Sequence, residues 1–239
     1  GTGNATHVLH DEQEVTVSCT GGDEGVVHAG IAEFTSEVLR LDDLPKTKTN
    51  VMLNMANPSA SFRWWRLPAD RVGLPRMGFV IMNALKVPPM ALVHFEAVED
   101  LAARQAIEAL TRAYPSKPDY FVDKLARGIA RIAAAYHPHP VILRMSDFKT
   151  NEYAGLIGGA AFEPKEANPM IGFRGASRYY SPRYRDGFAL ECRAIHRLRD
   201  EMGFENVVAM IPFCRSAKEA DRVLEDRKST RLNSSHVSE

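Results

Sequence analysis

An apolar run that ends in a charged residue is the feature that most constrains the fold of this 239-residue chain. Val141, Ile142 and Leu143 form a buried-looking strand that ends at Arg144, and the polar segment SDFKTNEY follows at 146–153. In parallel α/β folds, and above all in α/β barrels, functional residues lie on the loops that follow the strands. The pattern therefore predicts a parallel sheet with a site at the carboxyl end of this strand.

Strand and helix signals alternate along residues 50–226. Strand signals occur at four places, 51–55, 72–82, 141–145 and 207–213. Apolar side chains at helical spacing predict amphipathic helices over 118–136 and 188–202. Repeated strand–helix order indicates a parallel sheet, and about four such units are half of the eight in an α/β barrel.

The two ends of the chain have other patterns. In residues 1–40, the alternating run EVTVSCT at 14–20 predicts a half-buried strand, and the short apolar run at 26–29 predicts its return strand. Residues 41–49 are polar and contain proline, which predicts a linker. Residues 227–239 are polar and predict a non-native tail outside the fold. We expect the chain to be an internal fragment of a longer protein.

Composition excludes several classes of partner. Lysine and arginine total 30, as do aspartate and glutamate, so the sequence predicts no nucleic-acid partner and no attraction to an anionic membrane. No apolar run reaches the roughly 18 residues that span a bilayer. Cys19, Cys192 and Cys214 are scattered and lack metal-ligand spacing. These features predict a cytoplasmic α/β protein without a disulfide framework or a zinc site.

Two arginines in this region are candidates for binding an anion. Arg144 ends the strand, and Arg174 lies in the loop NPMIGFRG, where flanking glycines allow the backbone to approach a ligand. Two guanidinium groups directed at one place suit a small anion such as a phosphorylated carboxylate. Asp147 and Asn151 are candidates for orienting the arginines or are turn residues, and Arg178 is a candidate for bracing the loop. Each arginine is also compatible with an ordinary surface ion pair.

The strings SDFKTNEY and ANPMIGFRGASRYY closely resemble the phosphoenolpyruvate-binding barrel of the phosphoenolpyruvate (PEP) synthase, or pyruvate, water dikinase, family of PEP-utilising enzymes. The resemblance implies an α/β fold in which residues 50–226 form the first half of a PEP/pyruvate-binding TIM (β/α)8 barrel. It also implies that residues 1–40, with GNAT and VTVSC, are the end of a swivelling phosphohistidine domain.

The resemblance implies that Arg76, Arg144 and Arg174 bind substrate, with Asp147, Asn151 and Arg178 behind them. Arg76 lies in GLPRMGF, and Gly78 stands where the family has a glutamate that orients the arginine. The family's metal-binding residues and its phosphorylated histidine motif do not match any segment of this sequence. None of the eight histidines is therefore given a catalytic role, and the Mg²⁺ ligands are expected outside this chain.

For the full-length protein, the resemblance implies an enzyme that converts ATP, pyruvate and water into AMP, PEP and phosphate through a phosphohistidine. Its partners would be pyruvate or PEP and the swivelling domain of the same chain, within a homo-oligomer. The chain alone is expected to be inactive. Three alternatives remain open: a pyruvate, phosphate dikinase, a relative of the phosphotransferase-system enzyme that takes phosphate from PEP, and a non-catalytic barrel of which Gly78 is a first sign.

Overall fold

The computed structural model describes residues 4–20, 25–36, 40 and 47–229. The chain divides into two compact units, Gly1–Pro45 and Lys46–Glu239. The division falls inside the predicted linker, although residues 41–46 of that linker lie outside the described part of the chain, as do residues 230–239 of the predicted tail. The domain boundaries drawn from the sequence therefore stay predictions.

The first unit contains a short helix, α1 (Ala5–Val8), and two strands, β1 (Val15–Ser18) and β2 (Val26–Ala29). The strands pair antiparallel, with Val15 opposite Ala29 and Ser18 opposite Val26. Thr16 extends this pairing, because its hydroxyl donates to the Gly30 carbonyl over 2.8 Å. The strand and return strand expected from the alternating sequence are both confirmed.

The second unit contains a four-stranded parallel sheet whose spatial order follows the chain. The strands are β3 (Met52–Leu53), β4 (Arg71–Val72), β5 (Val141–Arg144) and β6 (Val207–Met210). β5 is central, and Val141 and Leu143 are fully buried. Sequential parallel order puts the carboxyl ends of all four strands at one edge of the sheet. The predicted mixed α/β fold with a parallel sheet is confirmed.

Nine helices of the second unit are described: α2 (Ser61–Trp64), α3 (Met77–Val80), α4 (Pro89–Val93), α5 (Leu101–Thr111), α6 (Lys117–Tyr136), α7 (Thr150–Ala154), α8 (Ala176–Tyr179), α9 (Arg185–His196) and α10 (Ala217–Ser229). The longest, α6, is capped at its N-terminus by Ser116, whose hydroxyl accepts a hydrogen bond from the Asp119 amide over 3.2 Å. Its apolar side packs against α4, α9 and β5. In the part of the chain that is described, no helix is both long and apolar enough to cross a membrane.

The strand predicted within residues 72–82 is wrong beyond Val72. β4 ends there, and the chain continues as α3 and then as a wider helical turn over Ile81–Leu85. Met77, Val80 and Ile81 are buried, which is the i, i+3, i+4 spacing of a helix. A short, wholly apolar run does not distinguish a buried strand from a buried helix, and this run was interpreted as the former.

The last helix, α10, begins directly after Ser216. The Ser216 hydroxyl accepts from the Glu219 amide over 3.2 Å, and the Glu219 carboxylate accepts from the Arg215 amide over 2.6 Å. Because the helix continues to Ser229, it includes the first three residues of the predicted tail, 227–229.

Candidate functional site

Arg76 and Arg144 lie side by side at the carboxyl edge of the sheet. The two residues form a parallel backbone bridge, and the Arg144 amide donates to the Pro75 carbonyl over 2.9 Å. Together they line a cavity of about 120 Å³. The other lining residues are Gly78, Phe79, Met82, Asp147, Phe148 and Glu152. Pockets for drug-sized ligands measure roughly 300–1,000 Å³, so this cavity suits a smaller molecule.

Both arginines have side-chain N–H groups that donate no hydrogen bond to a described residue. The Arg144 side chain is 25% exposed, its Nη1 lies 3.8 Å from Asp147 Oδ2, and its Nε is buried without a hydrogen-bond partner among the described residues. Arg76 is exposed, and its guanidinium lies 5.6 Å from the Phe79 ring centroid. A buried guanidinium N–H without a partner is costly. The exposed part of the Arg144 side chain is free to donate to an anionic oxygen in the cavity.

Arg174 reaches this site through Asp147. Its Nε and Nη2 donate to the two carboxylate oxygens of Asp147 over 2.9 and 2.8 Å. This hydrogen bonding raises the pKa of Arg174 above its usual value. The Asp147 side chain is only 5% exposed, and it also lies near Arg144, so one carboxylate hydrogen-bonds Arg174 and attracts Arg144 at longer range. Arg174 does not line the cavity itself, because its Nη1 donates to the Met170 carbonyl over 3.1 Å.

The other two predicted positions differ in their surroundings. Arg178 is buried and forms a two-pronged ion pair with Glu163 over 2.6 and 2.8 Å. Burial lowers the pKa of Arg178, but the hydrogen bonds to Glu163 outweigh burial and raise it above its usual value. Its Nη2 also donates to the Phe173 carbonyl over 2.9 Å, so Arg178 holds the main chain next to Arg174. Asn151 lies exposed on α7, and its amide makes no hydrogen bond to the arginines.

Gly175 sets how closely the Arg174 loop approaches the segment after β6. Its φ is +58°, and an added Cβ would lie 2.5 Å from the Pro212 carbonyl oxygen and 2.6 Å from the Phe213 Cβ. We expect Gly175→Ala to destabilise the protein by about 1–3 kcal/mol and to move Arg174 away from Asp147. The melting temperature and the hydrogen exchange of the peptide spanning 168–178 would measure both effects.

A matched control separates the close approach from backbone strain alone. Gly203 also has a positive φ, +77°, but nothing lies within 4 Å of its added Cβ. Gly203→Ala should therefore lower the melting temperature by strain and leave the exchange of that peptide unchanged. Equal exchange of this peptide in the two variants would contradict the role given to Gly175.

A buried polar network under the site was not identified from the sequence. Glu191 on α9 is fully buried and accepts hydrogen bonds from the Ser146 and Tyr184 hydroxyls over 2.5 and 2.6 Å. The Tyr184 and Tyr153 hydroxyl oxygens lie 2.6 Å apart. Burial raises the pKa of Glu191, and it also raises the pKa of Tyr153 and of Tyr184. The sequence held a signal, because Glu191 falls on the apolar stripe of α9 beside Cys192.

The acidic groups of the cavity are engaged with cations. Asp147 binds Arg174, and Glu152 pairs with Lys149 over 3.2 Å. Among the residues that the structure describes, no group of three or more His, Cys, Asp or Glu side chains is close enough to hold a metal ion. The residues present here do not by themselves fit a Mg²⁺ site.

A second, larger depression of about 840 Å³ lies away from the arginines. Alanine and glycine predominate in its lining, and its charged lining residues are Glu99 and Asp100. An acidic rim repels a phosphorylated carboxylate. The smaller arginine-lined cavity is therefore the candidate site.

Comparison with known proteins identifies the family of this chain. Residues 32–237 match the family described as PEP-utilising enzyme, PEP-binding domain. The chain is similar to phosphoenolpyruvate synthases of Synechocystis (52% identity over 225 residues), Deinococcus radiodurans (50% over 226) and Escherichia coli (43% over 226). These matches cover 94%, 94% and 95% of this chain but only 28%, 29% and 28% of the relatives, so the chain spans less than a third of their length. The chain belongs to the family of PEP-binding domains of PEP-utilising enzymes.

Proposed function

We propose that this chain carries the arginine half of the pyruvate/PEP site of a phosphoenolpyruvate synthase. The observation that carries the proposal is the pair formed by Arg76 and Arg144 on one small cavity, where the Arg144 side chain is 25% exposed and its Nη1 meets Asp147 only at 3.8 Å. Guanidinium groups stay charged at any working pH, and their forked donors match the oxygens of carboxylate and phosphate. The names of the relatives support the same substrate class.

In this proposal, the arginines bind, orient and neutralise the reactants. Arg144 and Arg76 donate to the carboxylate and phosphate oxygens of pyruvate or PEP. Asp147 holds Arg174 through its two carboxylate oxygens and attracts Arg144, whose Nη1 lies 3.8 Å away. The phosphoryl group passes from a phosphohistidine of the swivelling domain to the enolate oxygen of pyruvate. Because negative charge develops on the keto oxygen of pyruvate as its enolate forms, fixed cations stabilise the transition state of that step more than the ground state.

We also propose that the four-stranded sheet is the first half of a (β/α)8 barrel and that residues 1–40 end the swivelling domain. The sequential parallel strand order is that of such a barrel. Met52, Val208 and Met210 on the outer strands of the sheet remain 39%, 49% and 37% exposed. Apolar sheet residues with this exposure support a sheet that continues into further chain.

Mg²⁺ and ATP belong to the full-length protein in this proposal. The residues described here do not fit a metal site. The Mg²⁺ ligands, the ATP site and the phosphohistidine would lie in the rest of the protein, in the cytoplasm and within a homo-oligomer.

A glycine at position 78 does not by itself favour a non-catalytic barrel over an enzyme. A Cβ at this position would lie 3.3 Å from the Phe148 ring, so this chain packs Phe148 where a side chain at position 78 would begin. Arg144 and Arg174 are nevertheless held by Asp147, which does not depend on residue 78. The Arg144 and Arg174 part of the site therefore does not depend on residue 78, whereas no ion pair among the described residues orients Arg76.

The test is PEP formation by the full-length protein that carries this chain. With ATP, pyruvate and Mg²⁺ we expect AMP, PEP and phosphate in equal amounts, and with PEP alone we expect saturable binding by calorimetry. The 239-residue chain alone is the control and should form no AMP, since its arginines cannot replace a phosphohistidine. A purified full-length protein that neither binds PEP nor forms AMP would refute the proposal.

A further inference from the structure

Every hydrogen-bonding group of Ser146 is held by a buried partner. Its hydroxyl donates to Glu191 Oε1 over 2.5 Å, and its amide donates to Glu191 Oε2 over 3.4 Å. Its carbonyl accepts from the Tyr179 hydroxyl. The Tyr179 ring is itself stacked on Phe188 of α9, with the centroids 4.3 Å apart. Helix α9 and the adjoining α8 therefore fix one residue of the loop that follows β5.

That residue stands between two groups of the arginine site. Arg144 precedes Ser146 by two positions, and Asp147 follows it directly. Met145 ends the sheet ladder, because its amide donates to the Met210 carbonyl over 3.0 Å. Beyond Met145, the Glu191 and Tyr179 contacts are what directs the chain toward Asp147. A change in the position of Ser146 would therefore change where Asp147 meets Arg174 and Arg144.

We infer that Glu191 is a positioning residue for the anion site: it fixes the main chain at Ser146 and thereby sets Asp147 and the arginines that Asp147 holds. The inference rests on the proposed function for its ligand, PEP. Glu191 does not touch the cavity, so it is not a catalytic residue. Burying a carboxylate costs more than burying an apolar side chain of the same size. What the carboxylate contributes in return is directional hydrogen bonding to Ser146.

Two substitutions at this position separate hydrogen bonding from packing. Glu191→Gln keeps the size and can still bond the Ser146 amide through its oxygen and the two hydroxyls through its NH₂ group. Glu191→Leu fills a similar volume but bonds none of them. A residue that acts only by packing would tolerate leucine. A positioning residue would be rescued by glutamine.

The experiment uses the full-length protein with four variants: Glu191→Leu, Glu191→Gln, Ser146→Ala and the control Glu108→Leu. Glu108 is exposed on α5. Calorimetry with PEP, turnover with pyruvate and hydrogen exchange of the peptides spanning 144–152 and 168–178 are measured for each. We expect Glu191→Leu to lose roughly ten- to a hundredfold in PEP affinity or turnover, with faster exchange in both peptides. Glu191→Gln should lose at most about threefold, and Glu108→Leu should match the parent.

Ser146→Ala keeps the Tyr184–Glu191 bond and removes only one donor, so it tests the inference if Glu191→Leu does not fold. It should show the same pattern with a smaller loss. A folded Glu191→Leu or Ser146→Ala protein with parental PEP affinity and turnover would overturn the inference, as would glutamine and leucine variants that lose stability and activity alike. If the parent does not bind PEP, the proposed function fails, and the exchange of the two peptides alone decides whether Glu191 positions them.

Discussion

Arg144→Lys in the full-length protein is expected to lower the rate of PEP formation roughly ten- to a hundredfold. Lysine keeps the positive charge but lacks the planar fork, so a two-point contact with phosphate or carboxylate becomes a single-point contact. The loss of one charge-assisted hydrogen bond is about 1.5–3 kcal/mol, which corresponds to that change in rate. Because the keto oxygen of pyruvate gains negative charge as the enolate forms, most of the loss should appear in kcat and less in KM for pyruvate.

Two further lysine substitutions calibrate this result. Arg76→Lys should have the same kind of effect at smaller size, since Arg76 is exposed and no ion pair among the described residues orients it. Arg131→Lys is the matched control, because Arg131 lies exposed on α6, and it should be nearly neutral. Indistinguishable kinetics of Arg144→Lys and Arg131→Lys would remove Arg144 from the substrate site.

The sequence predicted the parts of the fold whose periodicity is long and unambiguous. The 20-residue α6 and the buried strand β5 lie where the apolar spacing put them, to within a residue. The error at 77–85 has a local cause, because four apolar residues in succession carry no periodicity that separates helix from strand. Tertiary packing determines the conformation of that segment. Met77 and Val80 are both buried, and their spacing of three residues puts them on one face of a helix.

The site was predictable where a residue follows a strand and unpredictable where long-range contacts define it. Arg144 could be placed because it ends a strand. The Asp147–Arg174 bond joins residues 27 positions apart, and the Ser146–Glu191 bond joins residues 45 apart. No local spacing indicates such pairs. A carboxylate on the apolar stripe of α9 was the only sequence signal for Glu191. Such a carboxylate indicates that a buried partner exists, but it does not show which residue the partner is.

Glu163→Gln is expected to destabilise the full-length protein's PEP-binding domain by about 3–5 kcal/mol, the cost of leaving a buried charge without its partner. Arg178 has a side-chain exposure of 1% and Glu163 one of 4%. The rings of Tyr153, Phe173 and Tyr184 lie 4.4–5.1 Å from its guanidinium carbon, so water cannot replace the lost carboxylate. A loss of this size corresponds to roughly 6–20 °C in melting temperature for a domain of this size.

The matched control is Glu96→Gln. Glu96 also pairs with an arginine, Arg104, over 3.2 Å, but its side chain is 90% exposed, so the change should stay within about 0.5 kcal/mol. Equal shifts for the two glutamine variants would contradict the burial argument. The double variant Glu163→Leu with Arg178→Met removes both charges and should recover most of the stability. It should not recover PEP affinity, because the Phe173 carbonyl beside Arg174 then loses the donor that fixes it.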